Sequence, residues 1–298
     1  MSGPAPSTTA TVDGLSVTRR RPEQYDPAAP TVVLVHGAMD RAGSFGRTMR
    51  RTGDLDVVAY DRRGYAGSLD AGVAPTLERH GEDLAAILDW TAASSVVVVG
   101  HSLGGTVAAC LAVCGDERVR AIAAYESPFP VLDDSFDQVG GGAVQIGRER
   151  GPEDGAEHFY RLMVGDSTWS RLRERDRSAR RAEGPALMAE LEDLRRRDRA
   201  LDPERIPVPV LVGWGDLSSE SLRAGALRLA GRVRSGGAYE IVNAGHGAHL
   251  THPDDFARYI ATAVERAVQA QGGPPPTAVQ APPGAAPTAA RAPGDSLR

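Results

Sequence analysis

The chain predicts a doubly wound, mostly parallel α/β sheet with a helical segment inserted late in the sequence, and three observations carry that expectation. Short apolar runs rich in β-branched residues recur along the 298 residues, continuous rather than alternating, as strands buried on both faces require. Amphipathic stretches of helical length separate these runs, in the rhythm of crossover connections. The rhythm lapses once, between Ser127 and Arg205, where no strand candidate exists.

Taken in order, residues 1–10 are small, polar and Pro-containing and are expected to fray. Strands are predicted at Thr31–Val35 (TVVLV), Asp56–Tyr60 (DVVAY), Ser95–Val99 (SVVVV), Val119–Tyr125 (VRAIAAY) and Val208–Val212 (VPVLV), with a weaker last one at Tyr239–Val242. Helices are predicted at Thr76–Trp90, Leu103–Val113, Ser219–Ala230 and Pro253–Ala270, the last opening on a proline suited to a first helical turn. Arg and acidic residues crowd 148–205, where Leu187, Leu191 and Leu194 make one apolar helical stripe. Residues 127–205 are therefore expected to form a helical lid over a core made of 11–126 and 206–271. The Gly-rich run 140–147 (GGGAVQIG) has neither a strand before it nor a Lys for a phosphate, and is read as a flexible entry to the lid. Residues 272–298 are a Pro/Ala tract that cannot bury a core and are expected to be disordered.

A hydrophobic share of 41% and a charged share of 24% suit a globular protein with a large core. The net charge of −5 argues against general nucleic-acid binding, and no nucleic-acid or membrane partner is expected. Every basic residue is Arg. Cys110 and Cys114, four apart in a helical pattern, fit neither a disulfide framework nor a zinc knuckle and are read as packing residues. The N-terminal stretch lacks the basic start and apolar run of a secretory signal, so a cytoplasmic address is expected. No nicotinamide, ATP or metal motif is found, and no cofactor is expected.

The stretch SVVVVGHSLGGTVAA carries the chemistry. Its G-x-S-x-G pattern, Gly100 to Gly104, stands directly after a strand and directly before a helix. A turn this tight strains the Ser102 backbone, and flanking glycines let neighbouring chain approach without Cβ clashes. The hydroxyl is thereby lifted above the sheet at the positive end of the next helix.

These residues resemble the α/β-hydrolase superfamily of serine nucleophiles, and the resemblance extends over residues 12–268. TVVLVHGAMD is similar to the family's strand followed by His-Gly. The resemblance implies an oxyanion hole from the N–H groups of Ala38 and Leu103, with Gly37, Met39 and His101 lining the substrate site. AYDRRGYAGS (59–68) resembles the family's D-x-R-G-x-G-x-S stretch, a structural signature. The base is expected in YEIVNAGHGAHLTHPDDF, where Gly245–His246 followed by Pro253 match the family, leaving His249 and His252 as loop or surface residues. His80 and His101 are read as packing or pocket-lining groups, and His158 as an exposed lid residue. The acid departs from the pattern. Aligned on Trp214–Gly215, the expected Asp position is held by Ser218, and Asp216 lies two residues early. Glu126, ending the strand before the insertion, stands where some members place their acid instead. Both carboxylates stay candidates, with Glu126 favoured because a Ser cannot orient an imidazolium electrostatically.

The resemblance implies a serine hydrolase acting on a small acyl substrate (an ester, lactone or thioester) through an acyl-enzyme on Ser102 with His246 as base. A Ser nucleophile does not suit the alkyl-enzyme chemistry of other members, which needs a carboxylate. Two alternatives remain at this stage: a non-hydrolytic enzyme on the same fold, such as a lyase, cofactor-free peroxidase or cyclase, and a degenerate binding protein. Neither the substrate nor the oligomeric state is legible.

Overall fold

The computed structural model describes residues 7–132, 135–196, 201–270 and Gly272. Strands β1 (Ser7–Val12), β2 (Leu15–Arg20), β3 (Thr31–Val35), β4 (Val57–Tyr60), β5 (Val96–His101), β6 (Val119–Tyr125), β7 (Val210–Gly215) and β8 (Gly236–Ile241) form one sheet in the order β1-β2-β4-β3-β5-β6-β7-β8. The pairs β1–β2 and β2–β4 are antiparallel and every other pair is parallel. The sheet is thus doubly wound from β3, which starts next to its centre.

The predicted strands are present, with shifts at the edge. β8 begins at Gly236, ahead of the expected Tyr239, because its half-exposed residues alternate in burial and carry no continuous apolar run. The antiparallel ribbon β1–β2 was not expected. Ser7–Ala10 belong to β1 rather than to a frayed end, while residues 1–6 and the expected disordered tail from residue 273 lie outside the described residues. The ribbon turns on Asp13 and Gly14, both left-handed (φ 49° and 81°), the two-residue Asp-Gly hairpin whose twist matches that of the strands.

Alternate side chains of the parallel strands feed two cores. Val33, Val35, Val58, Val98, Ile122 and Val212 pack beneath α2 (Leu77–Thr91), α3 (Leu103–Val113) and α9 (Glu220–Arg232). Val32, Leu34, Ala59, Val97, Val99 and Leu211 pack on the other face against α1 (Gly46–Met49), Ala248 of α10 (Ala248–Thr251) and α11 (Pro253–Ala270), which contributes Phe256, Tyr259 and Ile260. Each fully buried Val contributes about 1.5–3 kcal/mol of transfer free energy, so the strands are held by apolar burial on both sides. Caps fit the sequence: Thr76 Oγ1 accepts from the N–H of Arg79 at 3.3 Å to start α2.

Between β6 and β7 the chain runs through α4 (Ser135–Arg150), α5 (Pro152–Val164), α6 (Asp166–Arg171), α7 (Glu174–Ala182) and α8 (Gly184–Leu194). The run 140–147 is not a flexible entry; it lies inside α4. Its small residues are spent on close helix packing. A Cβ on Gly147 would stand 2.4 Å from Met188 Sδ, and one on Gly155 would stand 2.8 Å from the carbonyl oxygen of Ala143. The apolar stripe Leu187, Leu191 and Leu194 is buried, the first two in a third cluster with Met39, Tyr65 and Phe159.

A polar network also joins this insertion to the core. Arg62, fully buried, pairs with Glu190 of α8, which also accepts from Tyr65 Oη (2.7 Å) and meets His80 Nε2 (2.8 Å). Burial pushes the Glu190 carboxyl up, but Arg62 and His80 outweigh it and hold it down at about 2. Glu183 adds a second tie through Arg41 (3.0 Å) and the N–H of Ala66 (3.1 Å). Cys110 is buried as expected for packing, whereas Cys114, at the C-terminal end of α3, is exposed. Among the described residues no helix is long and apolar enough to cross a membrane.

Candidate active site

Ser102 sits between β5 and α3 at φ 52°, ψ −128°, a backbone conformation that a non-glycine residue holds only under constraint from its surroundings. The constraint is visible on both sides. The Ser102 N–H donates to the carbonyl of Tyr125 at 2.8 Å, and its own carbonyl accepts from Gly105 N–H at 3.0 Å. A Cβ on Gly100 would meet Gly105 N at 2.1 Å and one on Gly104 would meet the Val35 carbonyl oxygen at 2.1 Å, so both positions admit only glycine.

His246, in the loop after β8, brings Nδ1 to 2.6 Å from Glu126 Oε2. The carboxylate only accepts, so in the neutral ring Nδ1 carries the proton and Nε2 the lone pair. Glu126 follows β6 at φ 46° and is 2% exposed. Its other oxygen accepts from the Gly215 N–H at 2.9 Å and from Ser218 Oγ at 2.5 Å. Ser218, at the expected Asp position, therefore donates to the carboxylate that meets the histidine. Asp216 makes no hydrogen bond to His246, and its Oδ1 is buried without a partner among the described residues.

Ser102, Glu126, His246, Ala38 and Leu103 all line one cavity of about 500 Å³. Ala38 follows β3 and Leu103 is the first residue of α3, where a helix has no acceptor for its N–H. Neither N–H is paired among the described residues. The loop carrying Ala38 is braced from behind. Arg62 donates through Nε to the carbonyl of His36 (2.9 Å) and through Nη2 to that of Gly37 (3.1 Å). His36 Nε2 accepts from the Arg62 N–H at 2.8 Å, and burial, with Arg62 beside it, drives the ring's pKa down to about 3, which keeps it neutral. The stretch 59–68 acts in the same region: Asp61 accepts from the N–H groups of Ala42 (2.7 Å) and Gly67 (2.9 Å).

The alpha/beta hydrolase family model matches residues 32–259, a span that holds this constellation and the sheet from β3 to β8. The chain belongs to the alpha/beta hydrolase family. It is 36% identical over 121 residues to Epoxide hydrolase A of Mycobacterium tuberculosis (strain ATCC 25618 / H37Rv), a match covering 39% of this chain and 38% of that one. It is 35% identical over 115 residues to Lipase LipV of the same strain, covering 38% and 43%. These matches thus span less than half of either relative. The solved enol-lactonase of Burkholderia xenovorans LB400 shares the fold, with a TM-score of 0.65 at 21% identity over 86% of this chain and 99% of that one.

In this alpha/beta hydrolase the expected substrate-lining residues fall elsewhere. Gly37, Met39 and His101 do not line the cavity. Gly37 is where strand and elbow press together, since a Cβ there would stand 2.9 Å from Ser102 Cβ. Met39 packs into the cluster under α8. His101 is buried behind His246, its Nε2 donating to the His246 carbonyl at 2.8 Å. Burial holds the His101 pKa well below the usual histidine range, with His249 and His246 adding to it. His249 is likewise buried rather than at the surface, its Nε2 3.1 Å from Asp40 Oδ2. Asp40, His101 and His249 are the one group among the described residues with ligand atoms near enough to share a metal ion, and the Asp40–His249 contact is satisfied as a hydrogen bond. His158, half-buried, belongs to a separate groove between α4 and α5. The true wall, including Phe129, Phe159, Leu162, Met163 and Leu217, was missed because it is drawn from distant segments and has no local pattern.

Proposed function

We propose that the protein is a serine hydrolase that cleaves an ester-like bond through an acyl-enzyme on Ser102. The observation that carries this reading is the 2.6 Å contact from Glu126 to His246 Nδ1, with His246 and a strained-elbow Ser102 on one cavity. Ser102 Oγ attacks the substrate carbonyl while His246 Nε2 takes its proton, and Glu126 stabilises the resulting imidazolium. The oxygen that becomes an alkoxide is met by the free N–H groups of Ala38 and Leu103. Collapse breaks the bond to the leaving group, which departs with the proton from His246. Water, deprotonated by the same ring, then releases the acid and restores Ser102. Helix α5, which supplies Phe159, Leu162 and Met163, roofs the cavity and shapes the acyl site.

Epoxide opening, the activity in the name of Epoxide hydrolase A, fits poorly. Attack by a Ser on an epoxide yields an ether, which has no carbonyl for water to attack and would leave the enzyme dead-ended. Lactones and thioesters remain substrates of the same chemistry.

Ser102→Ala is expected to lower ester turnover by roughly 10³-fold or more with an unchanged melting temperature, since the elbow accepts the smaller side chain. A fluorophosphonate should label the wild type and not the variant. A folded variant with full activity removes the nucleophile assignment.

A further inference from the structure

The cavity above Ser102 has no permanently cationic side chain in its lining among the described residues. The chain has 34 basic residues, yet no Arg lines the cavity among the described residues. Three Arg residues of the insertion are committed elsewhere: Arg161 to Glu157 and Asp166, Arg181 to Glu157, and Arg180 to the Met39 carbonyl. The cavity's two ionisable groups, Glu126 and His246, satisfy each other. What faces an incoming acyl group is apolar, with Phe129 and Leu132 from the segment after β6, Phe159 and Met163 from α5, and Leu222 from α9. The apolar character continues outward, because Leu162 (54% exposed) and Leu217 (68% exposed) line the cavity and also reach solvent.

The polar exceptions are neutral hydroxyls. Ser127 Oγ is buried without a partner among the described residues, and Ser219 and Ser221 stand on the β7–α9 side. A hydroxyl turns to donate or accept, so it suits an ester or ether oxygen but does not neutralise an anion.

We propose that this site takes esters whose acyl side is uncharged and apolar and turns away acyl groups that end in a carboxylate or phosphate; the proposal rests on the serine-hydrolase reading. A terminal carboxylate would be stripped of water against aromatic and aliphatic carbon, with the Glu126 charge nearby and no cation to receive it. A neutral chain gains from the same burial. The cavity volume of about 500 Å³ is within the range of small-ligand sites and leaves room for an acyl chain of several carbons.

Three substrates built on the same unbranched acyl backbone test this: p-nitrophenyl hexanoate, the mono-p-nitrophenyl ester of adipic acid, and that hemiester capped as its methyl ester. With spontaneous hydrolysis subtracted, kcat/KM for the free hemiester should fall below the hexanoate by on the order of 100-fold. The capped compound should recover most of the loss, which assigns the effect to charge rather than to size. In Leu222→Arg, a cation set in the wall should narrow the hexanoate-to-hemiester ratio at least tenfold, mainly through a lower KM for the hemiester. A hemiester turned over as fast as the hexanoate by the wild type would overturn the substrate class while leaving the serine mechanism standing. Failure to turn over any of the three, together with a Ser102 inert to fluorophosphonate, would remove the hydrolase reading and this proposal with it.

Discussion

Two neighbouring strand ends stand within reach of His246, and they have opposite electrostatic roles. After β6 the chain places a buried carboxylate, Glu126, whose oxygens meet the histidine, the Gly215 N–H and the Ser218 hydroxyl. After β7 the chain supplies two of those donors, while its own carboxylate, Asp216, stays out of the contact. The β7 end thus serves as a cradle for an anion held by its neighbour. The difference teaches that a buried carboxylate at one strand end can draw its hydrogen-bond donors from the end of the adjacent strand.

The sharpest test of that division is Glu126→Gln. If the amide oxygen faces His246 Nδ1–H, its NH₂ points at the Gly215 and Ser218 donors; turned around, the NH₂ faces the ring and selects the wrong tautomer. Either way the imidazolium loses its counter-charge. The corresponding change in the Ser-His-Asp template costs about 10⁴ in kcat. A fall of at least about 100-fold is expected here, with the melting temperature little changed, as steady-state kinetics and thermal unfolding would show.

The sequence carried much of this site and little of its walls. Parallel strands buried on both faces write themselves as uninterrupted runs such as TVVLV, and the elbow glycines are dictated by contacts near 2 Å, so β3, β5 and Ser102 were legible. The vacancy at Ser218 was visible too, and pointed to Glu126. The edge ribbon β1–β2 was not, because its half-exposed strands lack an apolar run, although Asp13–Gly14 carried a hairpin signal. The role of Glu190 was hidden for a different reason. It stands in a charge-rich segment that reads as a solvated face, and only the fold brings it to the buried Arg62, 128 residues away in sequence. Phe129 and Phe159 belong to the same class: lining a cavity leaves no periodicity behind.

Ser218→Ala should have an intermediate effect. It removes a hydroxyl donor from the Glu126 carboxylate but leaves the Gly215 N–H in place. A hydrogen bond to a charged acceptor contributes about 1.5–3 kcal/mol, so kcat should fall roughly tenfold, part of the loss being absorbed by a water entering the gap. Ser218→Asp, which writes the family's usual acid back into its usual place, should do worse than Ala. It sets a second carboxylate against Glu126 and forces one of them to take up a proton. Recovery or improvement of activity in that variant would mean that the two strand ends are not in opposition.

The smallest effect is expected from Asp216→Asn, the change that most directly asks whether β7 retains the acid. The backbone of this loop is held without the Asp216 carboxylate: its N–H donates to the Ile241 carbonyl, the Leu217 N–H to Ala244, and the Ser218 N–H to Gly215. The Asp216 carbonyl in turn accepts from Arg223 Nη1 at 3.1 Å. Asn fills the same volume and keeps those bonds, so the cradle for Glu126 should survive and kcat should change by less than about threefold. A pH–rate profile measured alongside should keep its shape, because the group that orients His246 is untouched. If Asp216→Asn proves the crippled variant and Glu126→Gln is near wild type, the imidazolium is supported from β7. Glu126 would then be only a buried anion of the elbow's neighbourhood, and the roles assigned to the two strand ends would be reversed.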